Sequence, residues 1–247
     1  MFRPLKGYDP LSLEWLEHQP VPSLDYLGDD KFACQAEMRS LVTTAKLIMD
    51  DLNEMFNYIE PDDSNLNVYS HRIYELLLRT ATEVESNCKG ILKANGYAKA
   101  EKDMNMIDYF KLAAVARLPE YKVVFDRWST HHEFKPFADW NVFTYAPLPW
   151  YQGYNNVKHD RYKNFKQANL ENLMNALAAL LSILFAQCGE LLAYGFVNAL
   201  SASQETQKLL DIKPFTIFAP IFPETEQYEF IWDMLKTAPN PVQKYSF

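Results

Sequence analysis

Two residue types that mark particular classes of protein are scarce in this sequence. Its 247 residues include only 7 glycines and 3 cysteines, whereas aromatic residues make up 15% of the chain. Few glycines beside many large rings argue against a flexible or low-complexity chain and predict a densely packed globular protein. The cysteines are far apart and form no CxxC pair, so we expect buried free thiols in a reducing compartment.

Positive charge is also in deficit. The chain has 24 lysines and arginines against 32 acidic residues, which gives a formal net charge of -8. This balance argues against a protein that coats nucleic acid through a uniformly basic surface. Any nucleic-acid site is therefore expected to be a local basic patch.

Long apolar runs are few, and the more apolar of the two longest uncharged runs extends from Asn172 to Gly189. Polar residues such as Asn175 and Ser182 interrupt it, and Glu190 follows at once. The run predicts a buried core helix better than a membrane span. Because the first residues also lack the apolar core of a signal peptide, we expect a cytoplasmic protein without membrane association.

The signatures of many common enzymes are missing. The sequence has no GxGxxG, P-loop, GxSxG or HExxH motif and no catalytic Cys-His pattern. His131-His132 and His159-Asp160 do not have the spacing of metal ligands. We therefore expect no metal and no cofactor.

What the sequence does contain is helical periodicity. Apolar residues recur in steps of three and four from Met38 to Ile59, before Pro61. A second stripe lies between Asn67 and Ala94, and Asn95-Gly96 is a typical helix stop. The apolar stripe of the first helix, over about 31–60, is compatible with packing within its own chain and with packing against a partner. The pattern does not choose between these two arrangements.

These patterns predict an all-α protein, a helical bundle with long antiparallel helices. The expected division is an irregular proline- and aromatic-rich N-terminal arm (1–28), the bundle (29–200) and a C-terminal extension packed on it (201–247). Further helices are predicted over Asn105–Arg117, Arg161–Gln187, Leu191–Leu200 and Thr225–Lys236. The segment Tyr121–Phe125 fits a short strand or a helical turn, and 128–154 fits an ordered loop or small hairpin held by large rings.

The segment Trp150–Lys166 combines cations with aromatic rings. From 151 to 168 it carries four cations against Asp160 alone, interleaved with Tyr151, Tyr154, Tyr162 and Phe165. Cations that hold phosphates beside rings that stack on bases are typical of single-stranded RNA sites. The alternative is that the rings pack on the core while the lysines are merely solvated.

This segment also carries a family resemblance. Asn155-Asn156-Val157-Lys158-His159, expected at the start of the long helix, and the earlier helical segment Arg72–Glu85 resemble a HEPN-type domain over roughly Asn67–Gln187. Many HEPN proteins resemble ribonucleases of toxin–antitoxin, abortive-infection and other phage-defence systems, and they typically dimerise with their two sites facing each other. The resemblance implies a metal-independent endoribonuclease or a catalytically degenerate relative, acting as a homodimer or with a partner protein.

The resemblance also implies a set of site residues. His159 would move the proton of a ribose 2′-hydroxyl, and Arg161 would stabilise the developing phosphorane charge. The residues expected to bind the RNA are Tyr154, Asn155, Asn156, Lys158 and Lys163. Glu83 and Glu85 are candidates to orient His159, with a solvated helix surface as the alternative.

The sequence departs from the HEPN pattern at one position. Active members carry an arginine separated from the histidine by four to six residues, where this chain has Gln152 to Tyr154. Arg127 and His132 have the required spacing but lie in the proline- and aromatic-rich region. A binding-only relative therefore stays open beside the enzyme, as does a non-enzymatic helical module for interaction or dimerisation.

Overall fold

The computed structural model describes residues 34–140, 144–188, 215–220 and 246–247. This part of the chain is mostly helical, which confirms the mainly α class. The helices are α1 (Cys34–Met55), α2 (His71–Ala94), α3 (Met106–Tyr109), α4 (Lys111–Val115), α5 (Pro149–His159), α6 (Arg161–Asn164) and α7 (Leu170–Cys188). Single 3-10 turns lie at Asp63–Asn65, Glu101–Asp103, Leu118–Glu120 and Phe165–Gln167, and the strands are β1 (Lys122–Phe125) and β2 (Phe215–Phe218). The predicted arm (1–28) and the predicted helices 191–200 and 225–236 lie outside the described residues.

Helix α1 packs its apolar stripe inside its own chain. The predicted stripe residues Ala45, Ile48, Leu52 and Met55 are all buried. Burial of each large aliphatic side chain contributes about 1.5–3 kcal/mol to folding. The stripe therefore needs no second chain to cover it, and the predicted dimer draws no support from this helix.

Helix α2 begins and ends close to where the sequence predicts. Ser70 is its N-cap, with the hydroxyl accepting a hydrogen bond from the Ile73 N–H at 3.1 Å. Asn95 and Gly96 end it, and Gly96 has a φ of 84°, a conformation that suits glycine. Cys88, on its buried face, is a free thiol whose pKa is raised by burial. The side chains of Cys34 and Cys188 are outside the described part.

Helix α7 is the predicted core helix, although it begins at Leu170 and not at Arg161. Its side chains from Ala176 to Leu184 are buried, mainly against α2 and also against α1, α5 and β1. In the described part of the chain, one helical window, Leu170–Gln187, is long and apolar enough to cross a membrane, and 67% of it is buried inside the protein. The predicted burial of this run is confirmed.

Helices α1 and α2 run in opposite directions, as expected for neighbours along the chain. Arg72, at the start of α2, contacts Asp51 and Glu54 near the end of α1. Arg79, two turns later, donates to the Leu47 carbonyl and to Asp51. Later residues of α2 thus contact earlier residues of α1, as in an antiparallel pair.

Helices α2 and α7 run in the same direction. The Leu170 N–H donates to the Val68 carbonyl at 2.9 Å, so both helices start together. Near their other ends, the Gln187 amide donates to the Asn87 side-chain oxygen at 3.0 Å. This pair differs from the antiparallel packing that the sequence pattern predicted. A long connection containing α5 separates the two helices, so chain continuity does not impose antiparallel packing.

The predicted helix 105–117 is present as the two short helices α3 and α4. Asn105 and Asp108 form a capping box at the start of α3. Arg117, with a φ of 51°, ends the helical run before Pro119.

The ambiguous segment 121–125 is a strand, because it finds a partner far along the chain. β1 pairs antiparallel with β2, and Val123 also bridges Phe134 on its other side. Residues 126–140 form an ordered loop held by large rings, as the sequence predicts for the start of 128–154. The prediction is wrong at 149–154, which form the first turns of helix α5. The buried rings of the loop are Trp128, Phe134, Phe137 and Trp140.

Candidate nucleic-acid interface

The segment Trp150–Lys166 forms a helix, a bend and a short second helix. Pro149 occupies the first turn of α5, a position where its fixed φ and missing N–H are tolerated. Asp160 ends α5 and caps α6, its carboxylate accepting a hydrogen bond from the Lys163 N–H at 3.2 Å. Asn155–His159 is therefore the last part of α5. The HEPN resemblance had led us to expect it at the start of the long helix, and this prediction is wrong.

The sequence carried a signal for α5. Trp150, Tyr154 and Val157 are spaced as one face of a helix, and all three are buried. Together with Pro149 they mark a helix of three turns. Polar residues lie between the three apolar ones and basic residues follow them, so the sequence predicted a helix only from Arg161 onward. Arg161 is instead the first residue of the four-residue helix α6.

Gly153 sets how closely α5 approaches α7. A Cβ atom at this position would lie 2.9 Å from Cγ of Asn172 and closer still to its amide nitrogen. That amide is itself fixed, since it donates to the Gln167 carbonyl at 2.8 Å. The absence of a side chain at Gly153 thus allows α5 to approach α7 closely at this point.

Tyr154, a predicted RNA-binding residue, lies in the core with 1% of its surface exposed. Its ring cannot stack on a base. Its phenol oxygen instead accepts a hydrogen bond from the Lys158 ammonium at 2.9 Å. Tyr154 therefore positions Lys158 and does not itself contact a ligand.

Lys158 is anchored on two sides. Besides Tyr154, it approaches the Glu85 carboxylate at 4.0 Å, and Glu85 also accepts a hydrogen bond from the Tyr151 hydroxyl at 2.9 Å. The hydrogen bond to Tyr154 and the charge of Glu85 raise the pKa of Lys158, so it carries its full charge at neutral pH. Glu85 was a candidate to orient His159, but it instead contacts Lys158 and Tyr151. Glu83 is half-buried, and this burial raises the pKa of its carboxyl.

The other predicted residues lie around the bend at Asp160. His159 is exposed as the last residue of α5, and Arg161 is exposed as the first residue of α6. The Arg161 guanidinium lies over the Tyr74 ring, 5.5 Å from its centre. Lys163 is 79% exposed and pairs with Asp160 at 3.5 Å.

The two asparagines have structural partners or partial burial. Asn156 donates to the Gln167 side chain at 2.9 Å, and its carbonyl accepts the Asp160 N–H that closes the helix. Asn155 is half-buried on α5. Asn156 thus ties α5 to the turn that precedes α7.

Sequence reasoning missed the aromatic cluster that α2 contributes. The His71 ring lies 4.6 Å from the Phe165 ring, and the Tyr69 ring meets Phe165 edge-on at 5.6 Å. Tyr69 is 42% exposed. Tyr162, three residues before Phe165 in the sequence, is 97% exposed. We call the combined surface the basic-aromatic patch. Its members are Tyr69, His71, His159, Arg161, Tyr162, Lys163, Phe165 and Lys166.

The pair with the HEPN-like spacing, Arg127 and His132, is engaged elsewhere. Arg127 donates to the Asn53 and Phe56 carbonyls at 3.3 Å, capping the end of α1. His132 contacts the Asp63 carboxylate through Nδ1 at 2.9 Å. These contacts fasten the aromatic loop to the turn after α1. Across the described residues, no three histidine, cysteine or acidic side chains gather as metal ligands.

No protein-family model, curated protein or solved structure matches this chain.

Proposed function

We propose that this chain is a HEPN-like RNA-associated protein that binds RNA at the basic-aromatic patch. The observation that supports the proposal best is the run of exposed cations around the exposed Tyr162 ring at residues 161–166 of an acidic chain. Arg161, Lys163 and Lys166 are exposed around Tyr162, while the whole chain carries a net charge of -8.

The local charge balance favours a polyanion. Of the patch cations, Lys163 has an ion pair with Asp160, and the Arg161 guanidinium rests on a ring instead of a carboxylate. Stacking on Tyr74 leaves the N–H groups at the guanidinium edge free to bind phosphate oxygens in pairs. An anionic ligand is therefore expected here more than on the rest of the surface.

The exposed rings favour RNA over other polyanions. A ring as exposed as Tyr162 gives up little by stacking on a base and gains apolar contact when it does. Phosphate-binding cations within one helical turn of such a ring match the repeating chemistry of a nucleotide.

His159 gives the patch a group able to transfer a proton. An exposed imidazole beside phosphate-binding cations is suited to take the 2′-hydroxyl proton, with Arg161 stabilising the phosphorane. The HEPN-like proposal thus covers two cases, a ribonuclease that uses His159 and a relative that binds RNA without cleaving it. In both cases the bundle would act as a homodimer or with a partner protein.

The decisive experiment incubates the purified chain with end-labelled RNA and follows both retardation and cleavage. His159→Ala and Arg161→Ala are the test variants, and His131→Ala is the matched control, an exposed histidine outside the patch. Loss of cleavage in His159→Ala with retained retardation identifies a ribonuclease. Retardation without cleavage, weakened by Arg161→Ala, identifies a binding-only relative. RNA that is neither retarded nor cut refutes the proposal and favours the interaction module.

A further inference from the structure

We infer that the basic-aromatic patch holds two consecutive unpaired bases, one on Tyr162 and one on the cluster of Tyr69, His71 and Phe165. This inference rests on the proposed function, since it defines which form of nucleic acid the same surface takes. It assigns a ligand-binding role to Tyr162 and to three residues at the junction of α2 with α6.

The two stacking surfaces are one helical turn apart. Tyr162 lies in α6, and Phe165 is the C-cap of that helix, still in the helical backbone conformation. Side chains three residues apart on a helix have Cβ atoms about 5–6 Å apart. Stacked bases within one strand are about 3.4 Å apart, so a slightly extended single strand spans the distance between the two surfaces.

The second surface is built from two elements of the chain. Phe165 is half-buried and provides a fixed wall, against which the exposed His71 ring lies at 4.6 Å, tilted by 39°. Tyr69 meets Phe165 edge-on, at 87°. The cluster is held by packing on both sides, so its rings lose little freedom when a base stacks there.

The cations alternate with the stacking rings along the chain. Arg161 precedes Tyr162 and Lys163 follows it, while Lys166 follows Phe165. Cations that alternate with rings along the chain repeat the alternation of phosphate and base along a single strand. A duplex buries its base faces in its own stack, so it would reach the cations but not the rings.

The test measures fluorescence anisotropy of a labelled oligouridine of about ten nucleotides, a length typical of single-strand sites. The same length of duplex RNA and an abasic strand with intact phosphates are the comparison ligands. Tyr162→Ala removes the first surface, and Tyr162→Phe keeps the ring. Tyr58→Ala is the matched control, because Tyr58 is 84% exposed and lies outside the patch.

We expect the single strand to bind at least about ten-fold more tightly than the duplex or the abasic strand. Tyr162→Ala should weaken binding of the single strand by about ten-fold, with a smaller loss for His71→Ala. Tyr162→Phe and Tyr58→Ala should bind like the unaltered chain.

Equal affinity for duplex and single strand, or equal affinity in Tyr162→Ala and Tyr58→Ala, overturns the two-base arrangement while RNA binding stands. Absence of binding to every RNA overturns the proposed function as well.

Discussion

Two regions of this chain contain several aromatic residues and differ in how far they expose them. In the aromatic loop (residues 125–140), Trp128, Phe134 and Trp140 are at most 1% exposed. In the basic-aromatic patch, Tyr162 is 97% exposed and Tyr69 is 42% exposed. Aromatic content alone therefore does not separate a segment that builds the core from one that offers a binding surface.

The charges around the rings separate the two segments. In the aromatic loop, Glu133 pairs with both Lys122 and Lys135, and His132 pairs with Asp63. In the patch, residues 159–166 carry the three cations Arg161, Lys163 and Lys166 against Asp160 alone. A region whose charges are matched internally is complete as folded, whereas an excess of one sign beside exposed rings favours a ligand of the opposite sign.

The largest expected difference between the segments is in stability. Trp128→Ala should lower the free energy of unfolding by about 3–5 kcal/mol, because it empties a core site. It also removes the indole N–H that donates to Asp63 at 2.8 Å. Tyr162→Ala should change the free energy of unfolding by less than about 0.5 kcal/mol, since the ring is exposed. Urea denaturation followed by circular dichroism measures both, and similar losses in the two variants would refute the contrast.

A smaller loss is expected where the patch is fastened to the core. Gly153→Val should lower the free energy of unfolding by about 1–3 kcal/mol, because the new side chain overlaps Asn172. The double variant Gly153→Val with Asn172→Ala should regain part of this loss. Gly90→Val is the matched control, since its added Cβ meets nothing within 4 Å. An equal loss at Gly90 would mean that helix propensity, and not the close approach, causes the effect.

The three long helices could be located from their apolar stripes, but α1 ends at Met55, before the predicted stop at Pro61, and α7 begins at Leu170 and not at Arg161. The α2 stop at Gly96 and the buried run in α7 needed no knowledge of the rest of the chain. The joining of β1 to β2 could not be predicted, since Lys122 and its register partner Phe218 are distant in sequence. The shared direction of α2 and α7 depends in the same way on distant contacts.

The exposure of the proposed site residues was predicted in part. The exposed positions of His159, Arg161 and Lys163 agree with a surface site, whereas Tyr154 was misplaced because its helical stripe with Trp150 was not recognised. His71 was missed altogether, since only packing brings α2 beside Phe165. RNA binding and the HEPN relationship stay predictions.

The charges of the two segments should also differ in the salt dependence of RNA binding. The logarithm of the affinity falls as the logarithm of the salt concentration rises. Arg161→Ala and Lys163→Ala should each make this dependence shallower by about one, because each removes a phosphate contact. Lys122→Ala and Lys135→Ala should leave the slope unchanged, since Glu133 engages both lysines. Titration of labelled RNA at several salt concentrations gives the slopes. Equal decreases in all four variants would mean that only the net charge of the chain matters.

The smallest effect is expected in the pH dependence of the aromatic loop. Hydrogen bonds from Lys122 and Lys135, with that from Lys122 the larger effect, lower the pKa of Glu133 from 4.5 to about 2. Because the pKa is lower in the folded chain, the stabilisation is complete above about pH 4.5 and is lost as the pH falls toward 2. Glu133→Gln should therefore be slightly less stable than the unaltered chain at pH 7, and the difference should narrow between pH 4.5 and 3 in urea denaturation. Replacing both lysines by methionine should abolish this narrowing. A difference in free energy of unfolding between Glu133→Gln and the unaltered chain that stays constant with pH would contradict this. It would show that the buried rings hold the loop and that the ion pairs of Glu133 do not stabilise it.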